Sequence, residues 1–349
     1  MSEALACINR IGTARPDHEV HDVFLGWAEA QAQEGRDRKL FRRMATRAGI
    51  ERRWSVLAPA ETGSQVVGGF YAGGMPSTAA RMRVYAEEAP KLAQRAVEAL
   101  GPLGTISHVV VASCTGFIAP GLDQILAQRL HLLRSIQRTM IGFMGCYAAV
   151  VAIRTAQQIV RADAAARVLV VAVELSTLHL QATDDVEALL AMLQFGDGAA
   201  AAIVSAEQEG LALTRFVSET LPDSDELITW TVGDEGFVMQ LGGAVPGAIG
   251  TALADPEIRA RIAGSEPVDA WAVHPGGRSV LDAVARGLAL GPNALDLSRD
   301  VLRESGNMSS ATLLFVLQQM MSGKRIANGL ALAFGPGVAA EAFGFRSAG

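Results

Sequence analysis

Three residues with chemically useful side chains stand where a strand or turn gives way to a helix. Cys146 lies in GFMGCYAAVV after two glycines, His274 lies in AVHPGG, and Asn307 lies in SGNMSSAT before an apolar helix. A helix N-terminus favours the thiolate form of a cysteine, and a thiolate can accept an acyl group. Histidine and asparagine side chains can donate hydrogen bonds to an oxyanion or an enolate. Together the three residue types indicate acyl transfer with carbanion chemistry.

Each of these residues also has an ordinary structural interpretation. A cysteine is often a small buried hydrophobe, a histidine a satisfied core residue, and an asparagine before a helix an N-cap. Their positions favour function, because side chains at the ends of strands converge on one edge of an α/β sheet. Cys7 and Cys114 lack the context of Cys146, although Cys114 also stands at a strand end.

Apolar runs alternating with helical patterns must position these side chains. The runs His108–Ser113, Arg167–Val173 and Gly198–Val204 read as strands buried on both faces. Helical patterns over Gly121–Leu130 and Tyr147–Ala164 separate them. This alternation predicts βαβ units and a mostly parallel sheet.

Other elements are predicted on either side of this region. The N-terminal part predicts a strand over Ala4–Ile11 and helical regions over His18–Ala48 and Ala79–Leu100. After residue 209 the order of strand, reactive turn and helix recurs. Asp269–Val273 leads into HPGG, a helix begins at Ser279, SGNMSS opens another, and Leu330–Phe334 is the expected final strand.

The recurrence predicts a duplicated α/β architecture that packs as one body. We expect an N-terminal half, residues 1–210, carrying the nucleophile and a C-terminal half, residues 211–349, carrying histidine and asparagine. The 349 residues are 50% hydrophobic with 36 glycines, which suits this architecture and excludes disorder. A pI near 5.6 argues against a nucleic-acid partner, and the absence of GxGxxG after a strand makes an NAD-dependent oxidoreductase the weakest alternative.

The sequence lacks several signals that bear on cellular location and on metal binding. Three widely spaced cysteines predict neither a disulfide framework nor a metal site. The N-terminus carries an acid at Glu3 and no basic run, so we expect no signal peptide and a cytoplasmic location. The charge-free run Met140–Ile153 is too short for a membrane span and is interpreted as a buried core segment.

The helical region over His18–Ala48 ends in a basic stretch, KLFRRMATRAGIERRW, with Arg42, Arg43, Arg47, Arg52 and Arg53. One interpretation is a solvated helix face. The alternative is a docking site for an anionic ligand that carries phosphate.

Several motifs occur in a fixed order: GFMGCYAA around Cys146, RVLVVAVELS with Glu174, FGDGAAAAIV with Phe195, HPGG, GNMSSATLLFVL and AFGPGVAAE. In these motifs the chain resembles the type III polyketide synthases, the chalcone- and stilbene-synthase-like enzymes of the thiolase superfamily. The resemblance implies a homodimer with a thiolase-like αβαβα five-layer fold. It implies that Cys146 carries the growing chain, while His274 and Asn307 promote decarboxylation of malonyl-CoA and stabilise the enolate.

The same resemblance assigns substrate contacts. The CoA phosphates would meet Arg43 and Arg47, with Lys39 beside Leu40, which replaces a further basic residue; the glycines of HPGG, Gly276 and Gly277, would flank the CoA. No metal or prosthetic cofactor is implied, because the substrates are CoA thioesters.

Positions that line the cavity of plant enzymes differ here. Phe195 keeps one gatekeeping phenylalanine and Met239 replaces the second, while Trp230 replaces a glycine that leaves room for an aromatic starter. Ala119 replaces a larger residue that reaches into the partner's cavity. The remaining expected cavity residues are Cys114, Ser176 and Ser309. The segments TWTVGDEGFVMQL and SCTGFIAPGLD resemble bacterial alkylresorcinol and alkylpyrone synthases, which implies a fatty acyl starter.

The resulting hypothesis is a synthase that extends an acyl-CoA starter with malonyl-CoA and closes an alkylpyrone or alkylresorcinol ring. The nearest enzyme alternative is a β-ketoacyl-ACP synthase III with a single condensation. From a different class, a non-catalytic acyl-CoA-binding scaffold remains open.

Overall fold

The computed structural model describes residues 5–59 and 69–349. Its strands are β1 (Cys7–Ala14), β2 (His18–Glu19), β3 (Trp54–Ser55), β4 (His108–Ser113), β5 (Gln137–Gly142), β6 (Arg167–Leu175), β7 (Asp197–Ser205), β8 (Leu211–Thr220), β9 (Ile228–Gly233), β10 (Gly236–Leu241), β11 (Ala270–Val273), β12 (Gly329–Gly335) and β13 (Ala339–Ser347). Its helices are α1 (His21–Gln31), α2 (Arg36–Ala48), α3 (Thr78–Glu98), α4 (Leu122–Arg129), α5 (Ala148–Ala162), α6 (Val186–Gln194), α7 (Val245–Ala254), α8 (Pro256–Ala263), α9 (Arg278–Gly287), α10 (Asp296–Ser305) and α11 (Thr312–Met321).

The strand order shows that the two halves of the chain are built alike. In the described part of the chain, nine strands form one sheet in the order β11-β12-β13-β8-β1-β7-β6-β4-β5. The pairs β4/β6, β6/β7 and β7/β1 are parallel, antiparallel and antiparallel, and β11/β12, β12/β13 and β13/β8 repeat that series. A short antiparallel pairing between β1 and β8 joins the halves.

Helices cover the sheet in layers. Helices α3 and α4 pack on one face of the N-terminal half, and α7 to α10 pack on the outer face of the C-terminal half. Helices α5 and α11 lie between the halves, in a core built from apolar residues of both. The result is the predicted thiolase-like αβαβα fold with duplicated halves.

Several predicted elements are confirmed and others need correction. Strands β4, β6 and β7 and helices α3, α4 and α5 lie within a few residues of their predictions. The predicted first strand begins at Cys7, and Ala4 lies outside the described residues. The prediction of a mostly parallel sheet is wrong, because five of the eight pairings between neighbouring strands of the nine-stranded sheet are antiparallel. Buried apolar strands look alike in either direction, so the pattern could not distinguish them.

Other corrections concern segment boundaries. β12 is not the final strand, since β13 follows it. The run Met140–Ile153 is only partly a buried core segment: it begins in the exposed edge strand β5, where Met140 is 41% exposed, and its residues in α5 are mostly buried. His18–Ala48 is interrupted near Gly35 into two helices. No helix among the described residues is long and apolar enough to cross a membrane.

Candidate active site

Cys146 lies in a tight turn between β5 and α5. Phe143 and Gly145 both have left-handed backbone angles, with φ of +56° and +76°, and residues 145–147 form a 3-10 turn. A Cβ at position 145 would lie 2.4 Å from Cδ of Pro336, so the turn accepts only glycine there. This geometry places Cys146 half-buried against a cavity at the start of the central helix.

Asn307 stands before the other central helix and is held by its main chain. Its main-chain nitrogen donates a hydrogen bond to the carbonyl oxygen of Gln194 at 2.7 Å. Its side-chain Oδ1 accepts a hydrogen bond from the main-chain nitrogen of Ser309 at 2.8 Å, as a capping asparagine would. That bond orients Nδ2 towards Sγ of Cys146, at 3.9 Å, and towards the carbonyl oxygen of Gly276, at 3.5 Å. Asn307 is therefore both a local cap and a donor facing the cavity.

His274 follows β11 and faces the same cavity. Its main-chain nitrogen donates to the carbonyl of Leu332 at 2.8 Å, which continues the pairing with β12. Both ring nitrogens are buried and have no hydrogen-bond partner among the described residues. Burial lowers the pKa of His274 to about 3, so the imidazole is neutral at physiological pH. A buried, unpartnered imidazole costs free energy, and a polar substrate group would remove that cost.

The surroundings of Cys146 shift the pKa of its thiol upward. Burial raises the pKa of Cys146 to about 11, and the nearby carboxyl of Glu174 adds to the rise, while hydrogen bonds from Ser309 and Asn307 oppose it. This shift opposes the thiolate that the helix N-terminus is predicted to favour, and the thiolate stays a prediction. The effect of burial on the pKa of Cys146 is larger here than the opposing effect of the helix N-terminus.

Glu174 lies close to the reactive residues, although no role was predicted for it from the sequence. Its carboxylate is buried and accepts hydrogen bonds from the main-chain nitrogen of Cys114 at 3.0 Å, from Oγ1 of Thr115 at 2.9 Å and from Oγ of Ser310. Burial raises the pKa of Glu174 to about 7 in spite of these bonds. An acidic residue inside the otherwise apolar strand β6 was the signal that could have identified it.

Most of the residues predicted to line the cavity do so. Besides the three reactive residues, the cavity is lined by Cys114, Ser176, Phe195, Trp230, Met239, Gly276 and Ser309. Ala119 is exposed and does not line this chain's cavity; its contact with a partner stays a prediction. Gly277 packs against the side chain of Gln194, where a Cβ would lie 1.9 Å from Oε1.

Trp230 and Met239 face one another across the hairpin of β9 and β10. The indole Nε1 of Trp230 donates to the carbonyl oxygen of Cys114 at 3.0 Å. Its ring meets His179 and Phe237 edge to face, with centroids 5.8 and 5.9 Å apart. The hairpin is thus fixed against the turn after β4, and Trp230 forms a rigid wall of the cavity.

The basic stretch divides into paired and free side chains. Arg42 and Arg52 form ion pairs with glutamates, and Arg53 is buried with a hydrogen bond to the carbonyl of Phe195 at 2.8 Å. The interpretation of the basic stretch as a solvated helix face is therefore wrong for Arg53, whose side chain is buried. Arg43 and Arg47 are exposed on α2, and their side chains have no partner among the described residues.

Three neighbouring cavities lie between this helix and the reactive residues. One cavity is lined by Arg47, Gln194 and Arg278, whose Nη1 donates to the carbonyl of Arg47 at 3.2 Å. It shares Gln194 and other residues with a channel lined by Leu40 and Gly276. That channel in turn shares Gly276 with the cavity of Cys146. Lys39 is exposed one position away from the channel, and Arg278 was not anticipated.

Comparison with known proteins agrees with this geometry. The family model for the N-terminal domain of chalcone and stilbene synthases matches residues 1–208, and the model for their C-terminal domain matches residues 212–349. The chain belongs to the chalcone and stilbene synthase family. It is a type III polyketide synthase, an acyltransferase that catalyses decarboxylative Claisen condensation. This membership favours that activity over the ketoacyl-ACP synthase III, scaffold and oxidoreductase alternatives.

Relatives of this synthase come from bacteria and plants. The α-pyrone synthesis polyketide synthase-like Pks18 of Mycobacterium tuberculosis is 36% identical over 75% of this chain and 71% of its own length. Bisdemethoxycurcumin synthase of Oryza sativa subsp. japonica is 32% identical, covering 98% of this chain and 92% of its own.

Solved structures of other type III polyketide synthases have the same fold. The crystal structure of PKS-I from the brown alga Ectocarpus siliculosus superposes on this synthase with a TM-score of 0.86 at 28% identity, covering 99% of each chain. The type III domain of Steely1, from Dictyostelium, superposes with a TM-score of 0.87 at 24% identity, covering 99% of this chain and 100% of the other.

Proposed function

We propose that this synthase loads a fatty acyl-CoA starter on Cys146, extends it with malonyl-CoA and closes the chain to an alkylpyrone. The observation that carries the catalytic assignment is the convergence of three groups on one cavity. The half-buried thiol of Cys146 faces an amide donor, Nδ2 of Asn307, and an imidazole whose two nitrogens have no protein partner.

Loading forms a thioester between the starter and Cys146. Sγ attacks the carbonyl carbon of the acyl-CoA, the bond to the CoA sulfur breaks, and the thiol proton leaves with CoA. Because the resting thiol and imidazole are both neutral, His274 serves as the acceptor that carries this proton during attack. The imidazole then passes this proton on to the leaving CoA sulfur.

Extension begins with the loss of CO2 from malonyl-CoA. The electrons of the broken bond move onto the thioester oxygen as an enolate, and N–H groups of His274 and Asn307 donate to that oxygen. The enolate carbon then attacks the thioester on Cys146 and forms the new carbon–carbon bond. Cys146 leaves as a thiolate, and the extended chain is now a CoA thioester. The thiolate attacks that thioester and releases CoA for the next extension, and the released CoA thiolate takes a proton from water. Both donors are neutral side chains in a buried site, and their hydrogen bonds stabilise the negative charge that develops on the enolate oxygen.

The route between α2 and the cavity supports a place for CoA. Arg47 lines the outer end of this route and Arg43 lies on the same helix, both with unpaired positive charge, while Leu40 and Gly276 line its inner part. A phosphate-bearing head group would lie on the charged row and the pantetheine arm in the channel. We assign Lys39 and Gly277 to the borders of this route.

The starter class and the ring are read from the cavity wall and from a relative. Trp230 fills the side of the cavity where the plant pattern has glycine, and the remaining wall is mostly apolar, which favours a flexible alkyl chain over an aromatic starter. The name of Pks18 associates that relative with α-pyrone synthesis, so we favour lactonisation; alkylresorcinol formation by aldol closure is the alternative product.

We also propose that the protein is a homodimer. Within each chain, the N-terminal and C-terminal halves meet near residue 210. The edge strand β5 is largely exposed, and the neighbouring Phe117 is 51% exposed. An exposed edge strand beside apolar side chains suits pairing with a second copy, and Ala119 lies in the same region. Light scattering on the purified protein should give twice the chain mass.

Product analysis tests the proposal. The protein is incubated with malonyl-CoA and acyl-CoA starters from four to sixteen carbons, and products are separated and identified by mass spectrometry. Alkylpyrones that carry the starter chain and more than one extension support the proposal. Products with a single extension, or none with any fatty starter, contradict it.

A further inference from the structure

A buried carboxyl group, Asp197, stands behind the wall of the cavity that holds Cys146, here called the catalytic cavity. None of the reaction steps described above uses it. It begins β7, two residues after Phe195, and its side chain is fully buried. Burial raises the pKa of Asp197 to about 6, although its hydrogen bonds oppose the rise, so the carboxylate is ionised at mildly alkaline pH. A buried charge is stable in a fold only where hydrogen bonds satisfy it.

Three hydrogen bonds satisfy the two carboxylate oxygens of Asp197. Oδ1 accepts from the main-chain nitrogen of Thr177 at 2.8 Å. Oδ2 accepts from Oγ1 of Thr177 at 2.7 Å and from the main-chain nitrogen of Val56 at 3.0 Å. Both oxygens therefore face N–H or O–H donors, and two of the three donors belong to Thr177.

The hydroxyl bonds that lead to Asp197 run in one direction. The main-chain nitrogen of Leu57 donates to Oγ of Ser55 at 3.0 Å, and that hydroxyl lies 2.7 Å from Oγ1 of Thr177. Because the proton of Thr177 is donated to Asp197, Ser55 is the donor in its bond with Thr177. The series ends on Asp197 and needs an acceptor there. A carboxamide of the same shape would turn an NH2 group towards a donor on one side, so only the carboxylate satisfies both sides.

The residues joined in this way adjoin the wall of the catalytic cavity. Ser176 and Phe195 both line that cavity. Ser176 directly precedes Thr177 in the 3-10 turn at 176–179, and Phe195 lies two residues before Asp197. Leu175 of β6 is paired with Asp197 of β7, so the two wall residues stand beside neighbouring strand ends.

The segment of Phe195 is fixed independently of Asp197. The main-chain nitrogen of Gly196 donates to the carbonyl oxygen of Asn307 at 3.0 Å, and the main-chain nitrogen of Asn307 donates to the carbonyl oxygen of Gln194 at 2.7 Å. A Cβ at position 196 would lie 2.9 Å from the carbonyl oxygen of Ser305, so the two chains are in close contact. The carboxylate therefore attaches the turn at 176–179 to a segment that is already held.

We propose that Asp197 is a positioning residue that, through Thr177, holds Ser176 at a fixed distance from Phe195 across the catalytic cavity. This inference rests on the proposed function, since it concerns the room available to the growing chain. A fixed wall favours ring closure at one chain length. When the wall is loosened, chains close one extension earlier or later, and products of neighbouring lengths appear.

Asp197→Asn tests the inference, with octanoyl-CoA and malonyl-CoA as substrates at about pH 8, where Asp197 of the parent enzyme is ionised. We expect the share of products that differ from the parent's main product by one malonyl unit to rise about fivefold, because one donor of the turn loses its acceptor. Formation of the octanoyl adduct on Cys146 should continue, since Cys146, His274 and Asn307 are unchanged. Mass spectrometry measures both quantities.

Two substitutions at Thr177 give the matched comparison. Thr177→Val removes the hydroxyl while keeping the shape of the side chain, and it should reproduce the spread of product lengths. Thr177→Ser keeps the hydroxyl and should retain the parent's product distribution. Asp225→Asn, the same change as in the test at an exposed aspartate, should also retain it.

Melting temperatures are measured first, and all reactions are run where every variant is folded. If Asp197→Asn does not fold, the comparison of Thr177→Val with Thr177→Ser decides. A loss of total activity with an unchanged product ratio, or the same ratio for both Thr177 variants, would overturn the inference. If the parent enzyme makes no product from octanoyl-CoA and malonyl-CoA, it is the proposed function that fails.

Discussion

The indole nitrogen of Trp230 donates a hydrogen bond to the carbonyl oxygen of Cys114, 116 positions earlier in the chain, at 3.0 Å. This bond ties the β9–β10 hairpin of the C-terminal half to the turn after β4 in the N-terminal half. The wall of the cavity is consequently set by contact between the halves, and its shape depends on one large side chain.

Replacement of Trp230 should change which starter is accepted. Trp230→Gly removes the wall, so aromatic or branched acyl-CoA starters should gain at least tenfold in kcat/KM relative to the parent enzyme. Trp230→Phe, the control, keeps a ring but loses the hydrogen bond and should keep the parent's preference. Competition between two starters, read by mass spectrometry, measures the ratio, and an unchanged ratio in the glycine variant would show that Trp230 is not a wall.

Substitution of Gly145 should damage the turn that presents Cys146. Gly145→Ala combines a left-handed backbone with a Cβ 2.4 Å from Pro336, which predicts a loss of about 2–4 kcal/mol in the free energy of unfolding. Gly337 has a similar φ of +68° and open space around it, so Gly337→Ala isolates the backbone cost of about 1–2 kcal/mol. Denaturant unfolding measures both. Equal losses in the two variants would argue against the steric role of Pro336.

The unpaired arginines of α2 should govern affinity for CoA esters. Arg43→Ala with Arg47→Ala should raise KM for acyl-CoA about tenfold, with a smaller difference at high salt because exposed charges are screened. Arg42→Ala lies on the same helix, but its side chain is paired with Glu29, so KM should stay near the parent value. A pantetheine thioester without phosphates should not distinguish the double variant from the parent. A loss of the same size with that ester would refute a phosphate site.

Glu174 should make stability fall as the pH rises. Its pKa in the folded protein, about 7, lies above its usual value near 4.5, so the folded state binds its proton more tightly than the unfolded state. The free energy of unfolding therefore decreases between about pH 4.5 and 7, by about 3 kcal/mol from this group. Glu174→Gln cannot ionise and should remove that component.

The measurement compares unfolding of parent and variant across pH 4.5–8. Glu226→Gln, at an exposed position, should run parallel to the parent. If the difference between the parent and Glu174→Gln does not change with pH, the raised pKa assigned to Glu174 is incorrect.

Sequence patterns identified the parts of this enzyme that local chemistry determines. Cys146, His274 and Asn307 each follow a strand or turn at a helix start, and motif order was enough to identify the family. The direction of β7 and the existence of β13 depend on pairing between distant segments, which a buried apolar run does not encode. The raised pKa of Cys146 also escaped prediction, because it depends on burial and on Glu174, 28 positions away.

The arrangement around Asn307 shows the same limit. Its type and position suggested either a cap or an enolate donor, and the folded chain uses Oδ1 for the first role while pointing Nδ2 at the cavity. The backbone of Asn307 is held in place by hydrogen bonds to Gln194 and Gly196, which lie more than 100 positions away in the chain.

The central claim is that Cys146 carries the acyl chain, and peptide mass mapping of the protein after incubation with an acyl-CoA starter tests it most directly. The chain has three cysteines, so the site of the adduct is unambiguous. A starter-sized mass increase is expected on the peptide that contains Cys146 and should be absent from Cys146→Ala. An adduct on Cys7 or Cys114 with the Cys146 peptide unmodified would contradict it.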